Sequence, residues 1–157
     1  MWDDVERQNL KCTHYSFRGL VHLDLGSAIH ADTSKQHFTV VPRYWYADAI
    51  LQCRRCRTEF SFTAVEQQVW YEKYAFWIDS VPCHCPPCRK ELRRLKALRR
   101  EYDRDIVNAI RSKDSNVKTR VAEIVDQLLL AGVKLPTKVI ANRKVLATQI
   151  ARIANRK

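Results

Sequence analysis

The 157-residue chain predicts a mainly helical α+β fold, and three observations lead there. Only 3 glycines and 5 prolines leave too few turns for a loop-rich β protein. Apolar residues recur at helical spacing from residue 86 onward. Short β-branched and aromatic runs are confined to the segment before residue 64. Hydrophobic residues make up 46% of the chain, enough for a packed core and too many for wholesale disorder. The predicted organisation is an extended or β arm over 1–40, a small module over 41–92 and a basic helical region over 93–157.

In the arm, Val21, Leu23 and Leu25 alternate within "GLVHLDLGSAIHA" (19–31), which suggests a strand. The next stretch, 37–53, starts β-branched and aromatic, and Pro42 should end or kink a strand there. "RTEFSFT" (57–63) alternates, with Phe60 and Phe62 sharing a face. Thr63 and Glu66 have the spacing of a capping box, so a helix should start at Ala64 and run to about Trp77. On that helix Trp70, Tyr74 and Trp77 would form an aromatic seam.

A long helix is expected from Pro86 to about Arg111, because proline is tolerated in a first turn. Its apolar stripe is Leu92, Leu95, Leu98, Tyr102, Ile106 and Ile110. A helix over about 117–131 follows, with Val117, Val121, Ile124, Val125 and Leu128 on one side and Gly132 at its end. The last helix runs from Thr137 to about Ala154 and presents Val139, Ile140, Leu146, Ile150 and Ile153. These three stripes should bury one another.

No apolar run reaches the ~18–20 residues a membrane span needs, and the polar start "MWDDVERQNLK" does not look like a secretory signal. A cytoplasmic location is therefore expected, where thiols stay reduced and 6 cysteines point to metal before disulfides. Cys53-x2-Cys56 and Cys85-x2-Cys88 form two pairs with 28 residues between them. Two intervening residues let the chain turn so that both sulfurs face one point about 2.3 Å from a zinc ion. Two such pairs make a closed four-sulfur shell with no place for a catalytic water, so the predicted cofactor is structural Zn2+. A redox C-x2-C would want a βαβ context, which the pattern lacks. Cys83 is an alternative to Cys85 as third ligand, and Cys12 with His14 is a weaker second candidate pair. A knuckle, short strands, then a helix whose first turn brings the last ligands is the order of a treble-clef or zinc-ribbon-like site.

Asp48, Leu51, Cys53-x2-Cys56, Glu59-Phe60, Phe62-Thr63-Ala64, Glu66-Gln67, Lys73, Pro82 and Cys85-x2-Cys88-Arg89 resemble the bacterial probable zinc-ribbon domain family over about residues 44–92. The resemblance implies a small zinc-binding module and attaches no established activity. Val65 and Tyr74 stand where the family usually has glycine.

The net charge of +11 is concentrated at the C-terminal end. Residues 89–157 carry nineteen Lys or Arg against seven Asp or Glu, and no acidic residue follows Asp126. Such one-sided charge attracts polyanions. Arg54, Arg55, Arg57, Arg89 and Lys90 flank the cysteines and should offset the charge of a zinc–tetrathiolate centre. Further out, Arg93, Lys96 and Arg100 on the long helix, and Lys138, Arg143, Lys144 and Arg152 in the tail, are the candidate phosphate-contacting residues of a nucleic-acid-binding surface. The tail residues, Arg156 and Lys157 among them, have no acidic neighbours in sequence. A basic helix can also meet an anionic membrane, but an aromatic anchor is missing and no membrane partner is expected. A protein partner on the aromatic surface is the alternative. An enzyme is not expected: after the first knuckle only His84 could serve a nuclease, and no Gly-rich phosphate loop or carboxylate pair stands out.

Overall fold

The computed structural model describes residues 17–155. The chain divides into two compact units, Met1–Arg89 and Lys90–Lys157. Cys12, His14, Arg156 and Lys157 lie outside the described residues. No described helix is long and apolar enough to cross a membrane.

In the first unit three strands form an antiparallel sheet in the order β1-β2-β3, namely β1 (Leu20–His30), β2 (Trp45–Gln52) and β3 (Glu59–Phe62). β2 lies in the middle and is nearly all buried, as a strand covered on both faces should be. Leu51 faces Leu20 on one side and Phe60 on the other. The register of β1 slips between Asp24 and Ile29. There the Asp24 carboxylate accepts from the Gly26 amide, and the Ser27 hydroxyl donates to the Asp24 carbonyl while accepting from the Asp48 amide.

The β-branched stretch before Pro42 is not a strand. The strand begins after the proline, at Trp45, and Val40 and Val41 are exposed. β propensity without a partner edge does not make a strand.

Helix α1 (Ala64–Gln68) starts as the capping box predicts, with Thr63 Oγ1 accepting from the Glu66 amide at 3.1 Å. Asp48 adds a second anchor by accepting the Ala64 amide at 2.6 Å. The helix is shorter than expected: a π turn, Val69–Lys73, follows, and Ala75 in the left-handed region (φ 51°) ends it. Val65 lies on the exposed side of α1, and Tyr74 has a φ of −93°, so neither position needs a glycine. The aromatic seam is accordingly split. Trp77 instead bridges His37 in parallel fashion, and Tyr74 and Trp77 are more than half exposed. Around Tyr46, Leu51, Phe62 and Tyr71, all without solvent exposure, the sheet and α1 form one core.

The long helix α2 (Pro86–Arg111), α3 (Ser115–Leu130) and α4 (Thr137–Ala154) match the expected spans within two residues. α2 starts in the first unit and has most of its length in the second. In the second unit Leu95, Leu98, Tyr102, Ile106, Val121, Ile124, Val125, Leu128, Val139 and Leu146 share a core. Leu92 and Ile140, expected on buried stripes, are each more than a third exposed. The carboxylate of Asp114 caps α3 through the Asn116 amide.

α3 ends in a Schellman motif. The Gly132 amide donates to the Leu129 carbonyl and the Val133 amide to the Leu128 carbonyl, with Gly132 at φ 73°. A methyl group there meets nothing within 4 Å, so the cost of Gly132→Ala is backbone strain alone. The variant should lose about 1 kcal/mol, read as a lower urea midpoint with unchanged slope.

Candidate metal centre

The turn between β2 and β3 is the first knuckle. Cys53 follows the last β2 residue, and the hairpin closes by the Cys53 amide donating to the Thr58 carbonyl at 2.9 Å. The Arg57 amide donates back to the Cys53 carbonyl at 2.9 Å, and the turn needs Arg57 at φ 65°. Left-handed backbone is uncommon for a residue with a side chain, and here it accompanies the reversal of the chain that pairs Thr58 with Cys53. The second pair comes from the chain entering α2: Cys85 precedes the helix and Cys88 lies in its first turn, where the Arg89 amide donates to the Cys85 carbonyl. A cross-link joins the two knuckles, the Arg54 amide donating to the Cys83 carbonyl at 3.0 Å.

This folding brings the Sγ atoms of Cys53, Cys56, Cys85 and Cys88 within 4.8 Å of one another, and Cys56 lies 3.6 Å from Cys85. Four sulfurs around a zinc ion at the usual bond length form a tetrahedron with edges of about 3.8 Å. The donor set therefore fits a metal, and all-thiolate donors favour zinc among the common divalent ions. Cys53 and Cys85 are buried and Cys56 is exposed, so one edge of the shell faces solvent. Cys83 stays outside the four, its thiol turned to the Val81 carbonyl.

The thiols differ in proton affinity. Burial works to raise Cys53, but backbone amides of Cys56, Cys85 and Arg55 outweigh it and bring the thiol down to about 5. Cys56 is lowered, chiefly by the Thr58 hydroxyl and amide. Cys88 is pushed up to about 12 by hydrogen bonding to its fellow thiols, Cys85 first, and by burial. The four thiols therefore titrate as one coupled set, with Cys53 at its acidic end and Cys88 at its basic end. Metal loading at pH 7.5 should release fewer than four protons, measured in weakly buffered solution, and affinity should fall as the pH drops toward 5.

Of the five cations beside the ligands, Arg89 is directed elsewhere. Its guanidinium pairs with Glu66 at 3.1 Å and lies 5.8 Å from the Trp70 ring centroid. Glu66 therefore turns its carboxylate to Arg89, so of the expected capping box the structure shows the Thr63 half. Arg54, Arg55 and Arg57 are exposed around the knuckle.

In the second unit the expected phosphate contacts divide. Arg143, expected to have no acidic neighbour, makes a two-pronged pair with Asp126 at 2.8 and 2.9 Å. Asp126 is 17 residues away, beyond local sequence reading. Arg94, Arg99, Arg104 and Arg120 are likewise paired with Glu91, Asp103, Asp105 and Glu101. Arg93, Lys96, Arg100, Lys138, Lys144 and Arg152 are exposed and form no ion pair among the described residues. Lys118, absent from any expectation, is only 2% exposed. Its ammonium donates to the Ala109 carbonyl (2.8 Å), the Ile110 carbonyl (3.2 Å) and Gln149 Oε1. It closes the end of α2, where the final carbonyls lack helical partners.

Residues 47–96 match the model of one family, described as a probable treble clef domain. The match runs from β2 to the first turns of α2 and includes all four clustered cysteines, in keeping with the resemblance read from the sequence. No curated protein and no solved structure matches the chain.

Proposed function

We propose that the protein is a non-enzymatic binding module in which a structural Zn2+ site on Cys53, Cys56, Cys85 and Cys88 stabilises the first unit while cations of the second dock on nucleic acid through phosphate. The observation that carries it is the group of exposed cations that form no ion pair among the described residues: Arg93, Lys96, Arg100, Lys138, Lys144 and Arg152. Arg143 can join only by giving up Asp126. Arg93, Lys96 and Arg100 follow at i, i+3, i+7 and so share one side of α2. A reducing compartment such as the cytoplasm would keep the thiols available.

Single-stranded oligonucleotide binding by the zinc-loaded chain should weaken steeply with salt, with a log–log slope of about −3 to −5 for roughly five phosphate contacts. Replacing Arg93, Lys96 and Arg100 together by Gln should shrink that slope by about 2. Affinity unchanged between low and moderate salt would end this reading. A second reading, a protein-docking role, draws on Tyr44, Tyr74, Phe76 and Trp77, all exposed by more than 40%. It predicts salt-insensitive capture of a partner that Trp77→Ala abolishes.

A further inference from the structure

Where α2 ends and α3 begins, an open pocket of about 480 Å³ is lined by Ile110, Ser112, Lys113, Lys118, Gln149, Arg152 and Ile153. Three of these side chains are cationic and none is acidic. We propose that this pocket is a binding site for a single phosphate group.

The buried Lys118 is the first argument. Its hydrogen bonds go to two carbonyls and an amide oxygen, so its geometry is satisfied but its charge meets no carboxylate. A buried cation lacking a counter-charge is costly, and an anion in the adjoining pocket would offset that cost. The second argument is the donor set. An ammonium can only donate, so the Gln149 amide must turn its oxygen to Lys118, which leaves its NH2 group to donate within the pocket. The Ser112 hydroxyl accepts from the Asp114 amide at 2.9 Å and keeps its own proton to donate. Lys113 and Arg152 are exposed at the rim and form no ion pair among the described residues. The nearest acid in sequence, Asp114, accepts from the Asn116 amide at the start of α3. A lysine, an arginine, a hydroxyl and an amide around a buried positive charge match a tetrahedral oxyanion.

The site shares Arg152 with the nucleic-acid reading but does not rest on it. A free phosphorylated small molecule and the phosphorylated end of a strand present the same group. The test titrates the zinc-loaded full chain with inorganic phosphate at constant ionic strength, followed by calorimetry. A 5′-phosphorylated oligonucleotide is then compared with its 5′-hydroxyl counterpart. Saturable phosphate binding that weakens at least ten-fold in Lys113→Gln/Arg152→Gln, and is unchanged in Lys134→Gln, an exposed lysine outside the pocket lining, is the expected result. Preference for the phosphorylated strand, competed by inorganic phosphate, assigns the ligand to a strand end. Equal binding of both strands, with phosphate binding intact, assigns it to a small molecule. Absent saturation, or an equal loss in Lys134→Gln, overturns the site. Salt-sensitive strand binding can fail while phosphate binding persists, so the two readings fail separately.

Discussion

Cys85→Ser should lose the metal and, with it, the tertiary structure of the first unit. Cys85 is buried in the same core as Phe60, Phe62 and Tyr71, so its sulfur belongs at once to the four-cysteine cluster and to the packing. The core around it is small, and small cores rarely hold without a staple. A structural zinc site supplies roughly 10–16 kcal/mol of apparent binding free energy in isolated peptides, as much as the whole stability of an ordinary domain. The expected result is loss of near-ultraviolet circular dichroism from the buried Trp45, Tyr46 and Tyr71, with most helical signal retained, since α3, α4 and most of α2 have a core of their own. Chelator titration of the native chain gives the same readout without relying on a variant that expresses. A near-ultraviolet spectrum indifferent to both treatments would refute the stabilising role.

Lys118→Met should be the most damaging single change in the second unit. The replacement keeps most of the side-chain volume, so the loss isolates the ammonium. Two carbonyls at the end of α2 and the Gln149 oxygen then lose their donor. A buried acceptor left without a partner costs about 1–3 kcal/mol; the Ala109 carbonyl is buried and the other two acceptors are half-buried and lose less, so the second unit should lose about 2–4 kcal/mol in all. The opposite argument is that removing a buried charge saves desolvation. It loses here because the acceptors stay behind, and relief comes only when both sides of a buried polar contact are removed. Denaturation followed by far-ultraviolet circular dichroism measures the effect, and the double variant Lys118→Met/Gln149→Leu should recover part of it.

The helices were legible because their signals are local. The Thr63 cap, Pro86 in a first turn and Gly132 at a left-handed end each act within a few residues, and the structure honours all three. The cysteine pairs were legible for a similar reason, since spacing within each pair fixes a knuckle. What escaped depended on distant partners. Val40 and Val41 carry strand-forming side chains but find no neighbouring strand. Arg143 looked unpaired because Asp126 reaches it from another helix. Lys118, in a stripe of valines and isoleucines, reads as a surface lysine until the end of α2 is placed over it. The early stop of α1 had no glycine to announce it, because Ala75 takes the left-handed turn.

The helix Pro86–Arg111 carries Cys88 in its first turn and Leu95, Leu98 and Tyr102 further along. One continuous element therefore answers to two energies. Deuterium uptake along it should be graded, with the opening amides governed by metal occupancy and the later ones by helix packing. A partner or chelator that strips the metal would unravel the head of the rod and leave its shaft standing.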